Sequence, residues 1–368
     1  MSANKFGYYS VGDLQTYSKV EAIEWQASTG NFPEWNFNRE VFDSVDWKTE
    51  PPVDLWTLYK QRAQQIRDTY DYCILFYSGG SDSGNMLQAW QDQDCAIDEV
   101  ASFWNYDATK DVNSFMCQEI SKVALPRMKT LDCKHRLLDV SQLMLDFLAK
   151  NKFEYPYYSN HSLSPNNIAK GMFRETVKDW QDIIAQGKKL CFVWGFEKPQ
   201  IGYDNKGIYA KFVDVMDNCV GPYTQLNYVN GWYDELFYWT PDLPEIVVKQ
   251  AHTIKRFLET CNMPEFYRVQ NTPYGYNKSL NKWLTHDAVK QVIYPRWDAS
   301  TFTNGKGSSP DYLVHSPRDN WLWNSNLKES KTMETIIAQT TQKLGAYWKN
   351  PGNGQGLYKG HMQKHYLT

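Results

Sequence analysis

The stretch Tyr72-Cys73-Ile74-Leu75-Phe76-Tyr77, followed at once by Ser78-Gly79-Gly80-Ser81-Asp82-Ser83, decides how this chain is read. The first six residues form an apolar run of the length of one buried strand. The next six hold two adjacent glycines and three hydroxyls. Met86, Leu87 and Trp90 then keep helical spacing, so strand, turn and helix succeed one another. Such a turn leaves backbone N–H groups without partners at the positive end of the helix dipole. A phosphate group suits that spot. Glycine permits close backbone approach and positive φ. Ser78, Ser81 and Ser83 add donors, and Asp82 could hold the loop's shape or help to place Mg²⁺. A hairpin turn would lead into a second strand, whereas this turn leads into a helix. The loop has no lysine and no G-K-[ST], so it is not a Walker loop.

Outward from the loop the pattern alternates. Asp54 reads as an N-cap after Pro51-Pro52, and Leu55, Leu58, Tyr59, Ala63 and Ile66 follow at helical spacing. Downstream, Glu99–Trp104 reads as a second strand and His135–Val140 as a third. Between them Val112, Phe115, Met116, Ile120 and Val123 mark a helix; Leu143, Met144, Phe147 and Leu148 mark another. A long amphipathic helix is expected over about 166–186, then the apolar strand Leu190-Cys191-Phe192-Val193-Trp194-Gly195. This order predicts an α/β fold, a doubly wound, mostly parallel, five-stranded sheet with a mostly helical C-terminal extension. In such sheets ligands bind at the carboxyl ends of the strands, near the topological switch point.

The expected organisation is an irregular N-terminal cover over 1–53, an α/β domain that carries the phosphate-suited loop over 54–215, and a mostly helical region over 216–368 that closes over the sheet as a lid. In that last region Ala288 and Val292 belong to an expected helix, residues 299–310 to a loop, and 328–348 to another helix. Trp232-Tyr233-Asp234-Glu235-Leu236-Phe237-Tyr238-Trp239 reads as a packed core segment that could line a pocket. Ile208–Val213 reads as a hairpin strand.

Composition narrows the class. A hydrophobic share of 42% with 22% charge describes an ordinary globular chain. The net charge of −3 gives no overall basic footprint for nucleic acid, though a local basic groove could still serve one. Seven cysteines contain no CxxC pair, so neither a zinc site nor a disulfide framework is expected. With no signal peptide and no long apolar span, no membrane partner is expected and the cytoplasm is the expected location.

Residues 78–83 resemble the S-G-G-x-D-S signature of the PP-loop ATP pyrophosphatases, a superfamily with the adenine-nucleotide alpha-hydrolase-like fold. The resemblance covers roughly residues 55–200. It implies ATP and Mg²⁺ as cofactors, cleavage between the α- and β-phosphates, and a loop that holds pyrophosphate through Ser78, Gly79, Gly80, Ser81, Asp82 and Ser83. Lys198 is the expected catalytic cation, because Gly195-Phe196-Glu197-Lys198-Pro199 is similar to the segment after the corresponding strand in asparagine-synthetase-like members. Lys170 and Arg174, one turn apart on the expected long helix, could reach the same anion. The adenine slot is implied at the end of the second strand, at Trp104 and Asn105. His161 could be a general base in an acceptor loop.

Absences then separate the branches. Only about 50 residues precede the first sheet unit, and they begin Met1-Ser2-Ala3, so no N-terminal glutaminase with a cysteine nucleophile is expected. Lack of a CxxC pair argues against the thiolating and zinc-binding branches. The leading expectation is an AMP-forming enzyme that activates a carbonyl or carboxylate oxygen for attack by ammonia or an amine, with a small-molecule acceptor. The alternatives are a tRNA- or DNA-base-modifying enzyme and a non-catalytic nucleotide sensor. The acceptor and the oligomeric state stay open.

Overall fold

A computed structural model of the chain describes residues 5–104, 119–139, 141–150, 154–158, 170–214, 219–227, 229–260, 288–296, 328, 331–332, 334–336, 338–339, 342 and 363–368. It opens with strands β1 (Tyr8–Val11) and β2 (Leu14–Thr16), helix α1 (Lys19–Thr29) and strand β3 (Glu34–Asn36). The three strands form an antiparallel sheet in the order β2-β1-β3. Residues 8–42 therefore hold strands and helices where the sequence predicts an irregular cover, while residues 43–53 are irregular. These strands run only 3 or 4 residues, too short for a period to register.

Helix α2 (Leu55–Thr69) begins where expected. Asp54 Oδ1 accepts from the Thr57 N–H at 3.0 Å, which satisfies one of the first-turn donors. The chain continues through β4 (Tyr72–Phe76), α3 (Ser81–Asp92), β5 (Glu99–Trp104), β6 (Lys134–Asp139), α4 (Ser141–Lys150), α5 (Lys178–Ala185), β7 (Leu190–Trp194), β8 (Gln200–Asp204), β9 (Gly207–Lys211), β10 (Trp232–Leu236), α6 (Glu245–Thr260), α7 (Ala288–Ile293) and β11 (His365–Tyr366).

The central sheet has the order β10-β7-β4-β5-β6. All four pairings are parallel. The chain leaves β4 toward β5 and β6, then returns to the other side of β4 as β7 and β10. The winding direction reverses between β4 and β7, which opens a crevice beyond their carboxyl ends. Helices cover both faces, so Cys73, Ile74 and Leu75 on β4 and Cys191, Phe192 and Val193 on β7 are wholly buried. At the carboxyl ends the rings of Trp194, Phe76 and Phe103 stack across three neighbouring strands, at 4.1 Å and 5.1 Å between centroids.

The fifth strand, β10, lies beyond residue 215, in the stretch read as a packed aromatic segment. Its two adjacent carboxylates hid the strand. Asp234 and Glu235 are both buried, each paired with an arginine: Arg174 for the first, Arg62 for the second. The hairpin expected near 208–213 forms as β8 and β9, in a separate antiparallel sheet with β11.

The single helix expected over 166–186 is broken within its described part. Phe173–Glu175 make one 3₁₀ turn, Val177 is extended with φ −88° and ψ 97°, and α5 starts only at Lys178. Thr176 and Val177 are β-branched, and Thr176 Oγ1 donates back to Phe173 O at 2.8 Å, which ends the turn. The expected loop 299–310 lies outside the described residues. Beyond β10 the described residues are chiefly helical. Among the described residues no helix is long and apolar enough to cross a membrane.

Candidate phosphate site

The loop 77–80 joins β4 to α3. The Tyr77 N–H donates to Ala101 O at 2.9 Å, so the ladder with β5 runs one residue past the strand. Gly79 then takes φ +83°, a conformation that favours glycine. Gly80 is the N-cap of α3 and makes no side-chain cap bond. The first intrahelical bond is Gly84 N–H to Gly80 O at 2.8 Å. The N–H groups of Ser81, Asp82 and Ser83 therefore have no carbonyl of their own helix to reach. They sit at the positive end of a 12-residue helix.

The serines divide their work. Ser83 Oγ donates to Gly80 O at 3.2 Å and accepts from the Ser78 N–H at 3.2 Å. Ser78 Oγ accepts from the Gly80 N–H at 3.3 Å. These two hydroxyls brace the turn rather than stand free as donors. Ser81 is buried at the first position of the helix.

Gly195 brings β7 against this turn. A Cβ at that position would lie 2.8 Å from Ser83 Cα and 3.1 Å from both Asp82 O and Ser83 N, all backbone atoms. Only a residue without a side chain lets the end of β7 approach so closely. Gly195→Ala should push the turn away from β7, lowering stability by about 1–3 kcal/mol. It should weaken nucleotide binding at least tenfold, by calorimetric titration. A variant with unchanged melting and binding would show that the turn yields freely.

That approach carries Lys198 to the turn. Lys198 is 8% exposed. Its Nζ lies 3.2 Å from Asp82 Oδ1 and 2.7 Å from Glu197 Oε1. Burial favours the neutral amine, but the two carboxylates outweigh it and raise the lysine's pKa above its ordinary value. The group is a buried, fully charged ammonium at neutral pH. For Asp82, burial favours the acid, but Lys198, Lys290 and the Tyr294 hydroxyl outweigh that and hold it well below the carboxylate range.

Three tyrosines close the other side. Tyr294 OH donates to the Asp82 carboxylate, and Tyr238 OH donates to Asp82 O at 2.8 Å. Asn85 Nδ2 donates to Tyr238 OH at 2.9 Å. Tyr59 OH donates to Ile293 O at 2.8 Å and accepts from Gln250 Nε2 at 3.0 Å, so α2 and α6 both anchor the end of α7. Burial pushes the Tyr238 and Tyr294 hydroxyls well above their ordinary pKa, which keeps them neutral donors.

The structure brings Ser78–Ser83 and Lys198 together at the switch point, where the sequence places them. Lys170 is 3% exposed, with its ammonium 5.9 Å from the centroid of Phe103 at the end of β5. Trp104 is half-buried at the last position of β5, paired in register with Asp139. Asn105 and His161 lie outside the described residues.

Arg174 does not join the loop. Its guanidinium makes a bidentate pair with Asp234, at 2.6 Å to each oxygen, and lies over the Phe192 ring at 4.4 Å. Asp234 and Phe192 are register partners at the middle of their strands, so this arginine is spent within the sheet. Lys290, Tyr294 and Tyr238 are the site residues that sequence reasoning missed. Ala288 and Val292 mark the helix in the sequence, but nothing in its spacing points to the loop.

Among the described residues no three carboxylate, histidine or cysteine side chains converge as metal ligands. Asp82 and Glu197 offer two carboxylates on one lysine. That set fits Mg²⁺ carried on nucleotide phosphates, which needs only one or two protein carboxylates.

No protein-family description matches this chain, and no curated protein does. Among solved structures it is similar to the NH3-dependent NAD synthetase of Campylobacter jejuni, at 12% identity over 65% of this chain and 97% of that one, with a TM-score of 0.31. It is similar to an NMN synthetase of Francisella tularensis, at 10% identity over 80% and 97% of the two chains, TM-score 0.31. A NAD+ synthetase of Burkholderia pseudomallei gives 11% identity over 81% and 92%, TM-score 0.28. Likenesses with TM-scores this low assign no substrate and no residue role.

Proposed function

We propose that the chain is an adenylating enzyme of the PP-loop type, cleaving ATP to AMP and pyrophosphate to activate a carbonyl or carboxylate oxygen. One observation carries the reading: a glycine turn with free-ended helix amides, at the switch point between β4 and β7, faces a buried ammonium, Lys198. The amides of Ser81–Ser83 bind the β- and γ-phosphates. Lys198 opposes the charge that builds on pyrophosphate as it departs, and being buried it does so with little competition from water. Mg²⁺, bound on the phosphates and touched by Asp82 or Glu197, would add further neutralisation.

The acceptor oxygen attacks the α-phosphate in line, and ammonia or an amine then displaces AMP. Trp104, Asn105 and Lys170 are assigned to the nucleotide side. His161 is assigned to the acceptor side. The net charge of −3 weighs toward a small-molecule acceptor over nucleic acid.

The test is product analysis from α-labelled ATP with Mg²⁺, in the presence of pooled amino acids, nucleosides or tRNA. AMP and pyrophosphate should appear with one pool and vanish in Asp82→Ala. ADP and phosphate would sink the reading. Binding of ATP without turnover in any pool would make the protein a nucleotide sensor.

A further inference from the structure

The carboxylate of Asp82 faces two ammonium groups, and only one of them comes from the sheet. Lys198 Nζ lies 3.2 Å away and has a second carboxylate, Glu197, at 2.7 Å. Lys290 Nζ, from α7, lies 3.6 Å from Asp82 Oδ2. That is an ion pair but not a hydrogen bond, so the contact is loose. The lysine side chain is 14% exposed and that of Asp82 29%, so the pair is not sealed from solvent.

Asp82 is the second residue of α3. An anion on the first-turn amides is therefore within reach of the ammonium that Asp82 holds. The backbone under Lys290 is fixed: Ile293 and Tyr294 are buried, and Tyr59 and Tyr294 tie the segment to α2 and to Asp82 itself. Helix α7 thus presents one charged, flexible stem to the turn from a rigid base.

We propose that Lys290 is the second cation of the pyrophosphate clamp, parked on Asp82 when the turn is empty and transferred to the phosphate oxygens when it is filled. The clamp rests on the phosphate-binding part of the proposed function. It adds a residue from the C-terminal region to that site and gives Asp82 a role of its own. The carboxylate stands in for the missing anion, which keeps two ammonium groups beside a helix N-terminus from repelling the empty site apart.

The test is calorimetric titration with inorganic pyrophosphate, without Mg²⁺ and without ATP, at fixed ionic strength. Lys290→Met should bind about 10- to 100-fold more weakly, the loss expected for one charge-assisted contact, and Lys290→Arg should recover most of it. Asp82→Asn should bind roughly tenfold more tightly, because a competing negative charge is gone. The double variant D82N/K290M should lose that gain. A merely structural lysine would not produce this reversal of sign, and melting temperatures show that each variant is folded.

If K290M binds pyrophosphate as wild type does while Lys198→Met is weakened, the clamp has one lysine and the inference is overturned, with the proposed function intact. If D82N binds no more tightly than wild type, the stand-in role is overturned. If wild type binds pyrophosphate through Lys290 yet releases ADP from ATP, the clamp stands and the adenylation reading fails.

Discussion

Lys198→Met should slow pyrophosphate release by about 10²- to 10³-fold in single-turnover assays, while the protein stays folded. The effect is large because the ammonium is both charged and dry. Two carboxylates hold it protonated at 3.2 and 2.7 Å in a site where it is 8% exposed. A preorganised charge in such a site needs no solvent rearrangement as the leaving group forms. Asp82 keeps Lys290 and Tyr294 in the variant, so its carboxylate is not orphaned. The loss should fall on the rate constant more than on ATP affinity, because charge on pyrophosphate grows only as the bond breaks. Lys198→Arg keeps the charge but not the fit, and should recover only part of the rate. A rate within threefold of wild type for K198M would remove Lys198 from the chemistry.

Arg174→Met should lower unfolding stability by about 3–5 kcal/mol, measured by urea denaturation. The guanidinium satisfies both oxygens of Asp234 at 2.6 Å, and Trp194 Nε1 gives Asp234 Oδ1 a further bond at 2.7 Å. Without the arginine, a carboxylate remains inside the sheet layer with one neutral donor, and an uncompensated buried charge dominates the cost. The double variant R174M/D234L removes both charges and should be less destabilised than R174M alone. A single-variant loss below about 1 kcal/mol would mean that water reaches Asp234 and screens it.

The sheet was legible where its strands are apolar throughout. Cys73–Phe76 and Leu190–Trp194 are buried on both faces, so their sequences read as unbroken hydrophobic runs. The turn was legible for a different reason: adjacent glycines and hydroxyls between a strand and a helix have few other uses. Strand β10 was hidden because Asp234 and Glu235 look like surface residues until Arg174 and Arg62 are seen beside them. Arg174 misled for the same reason. Four-residue spacing suggests a helix face with Lys170, but Arg174 sits in a 3₁₀ turn and its guanidinium pairs with Asp234 inside the sheet layer. Lys290 was illegible because its partner is 208 positions away, from Asp82 to Lys290, and no local pattern encodes so distant a pair.

The central place of β4 has a consequence for synthesis. Its two neighbours are made at very different times: β5 begins at Glu99, but β7 begins only at Leu190. While the chain emerges, one edge of β4 has no strand to pair with for more than a hundred residues, and Ile74 and Leu75 lack that cover. The Gly195 contact that sets the turn, and the lysine after it, arrive later still. A ribosome-bound intermediate that ends before β7 carries the whole signature but lacks both the Gly195 contact and the Lys198 ammonium. Until β7 is made, that edge of β4 stays open to wrong pairing.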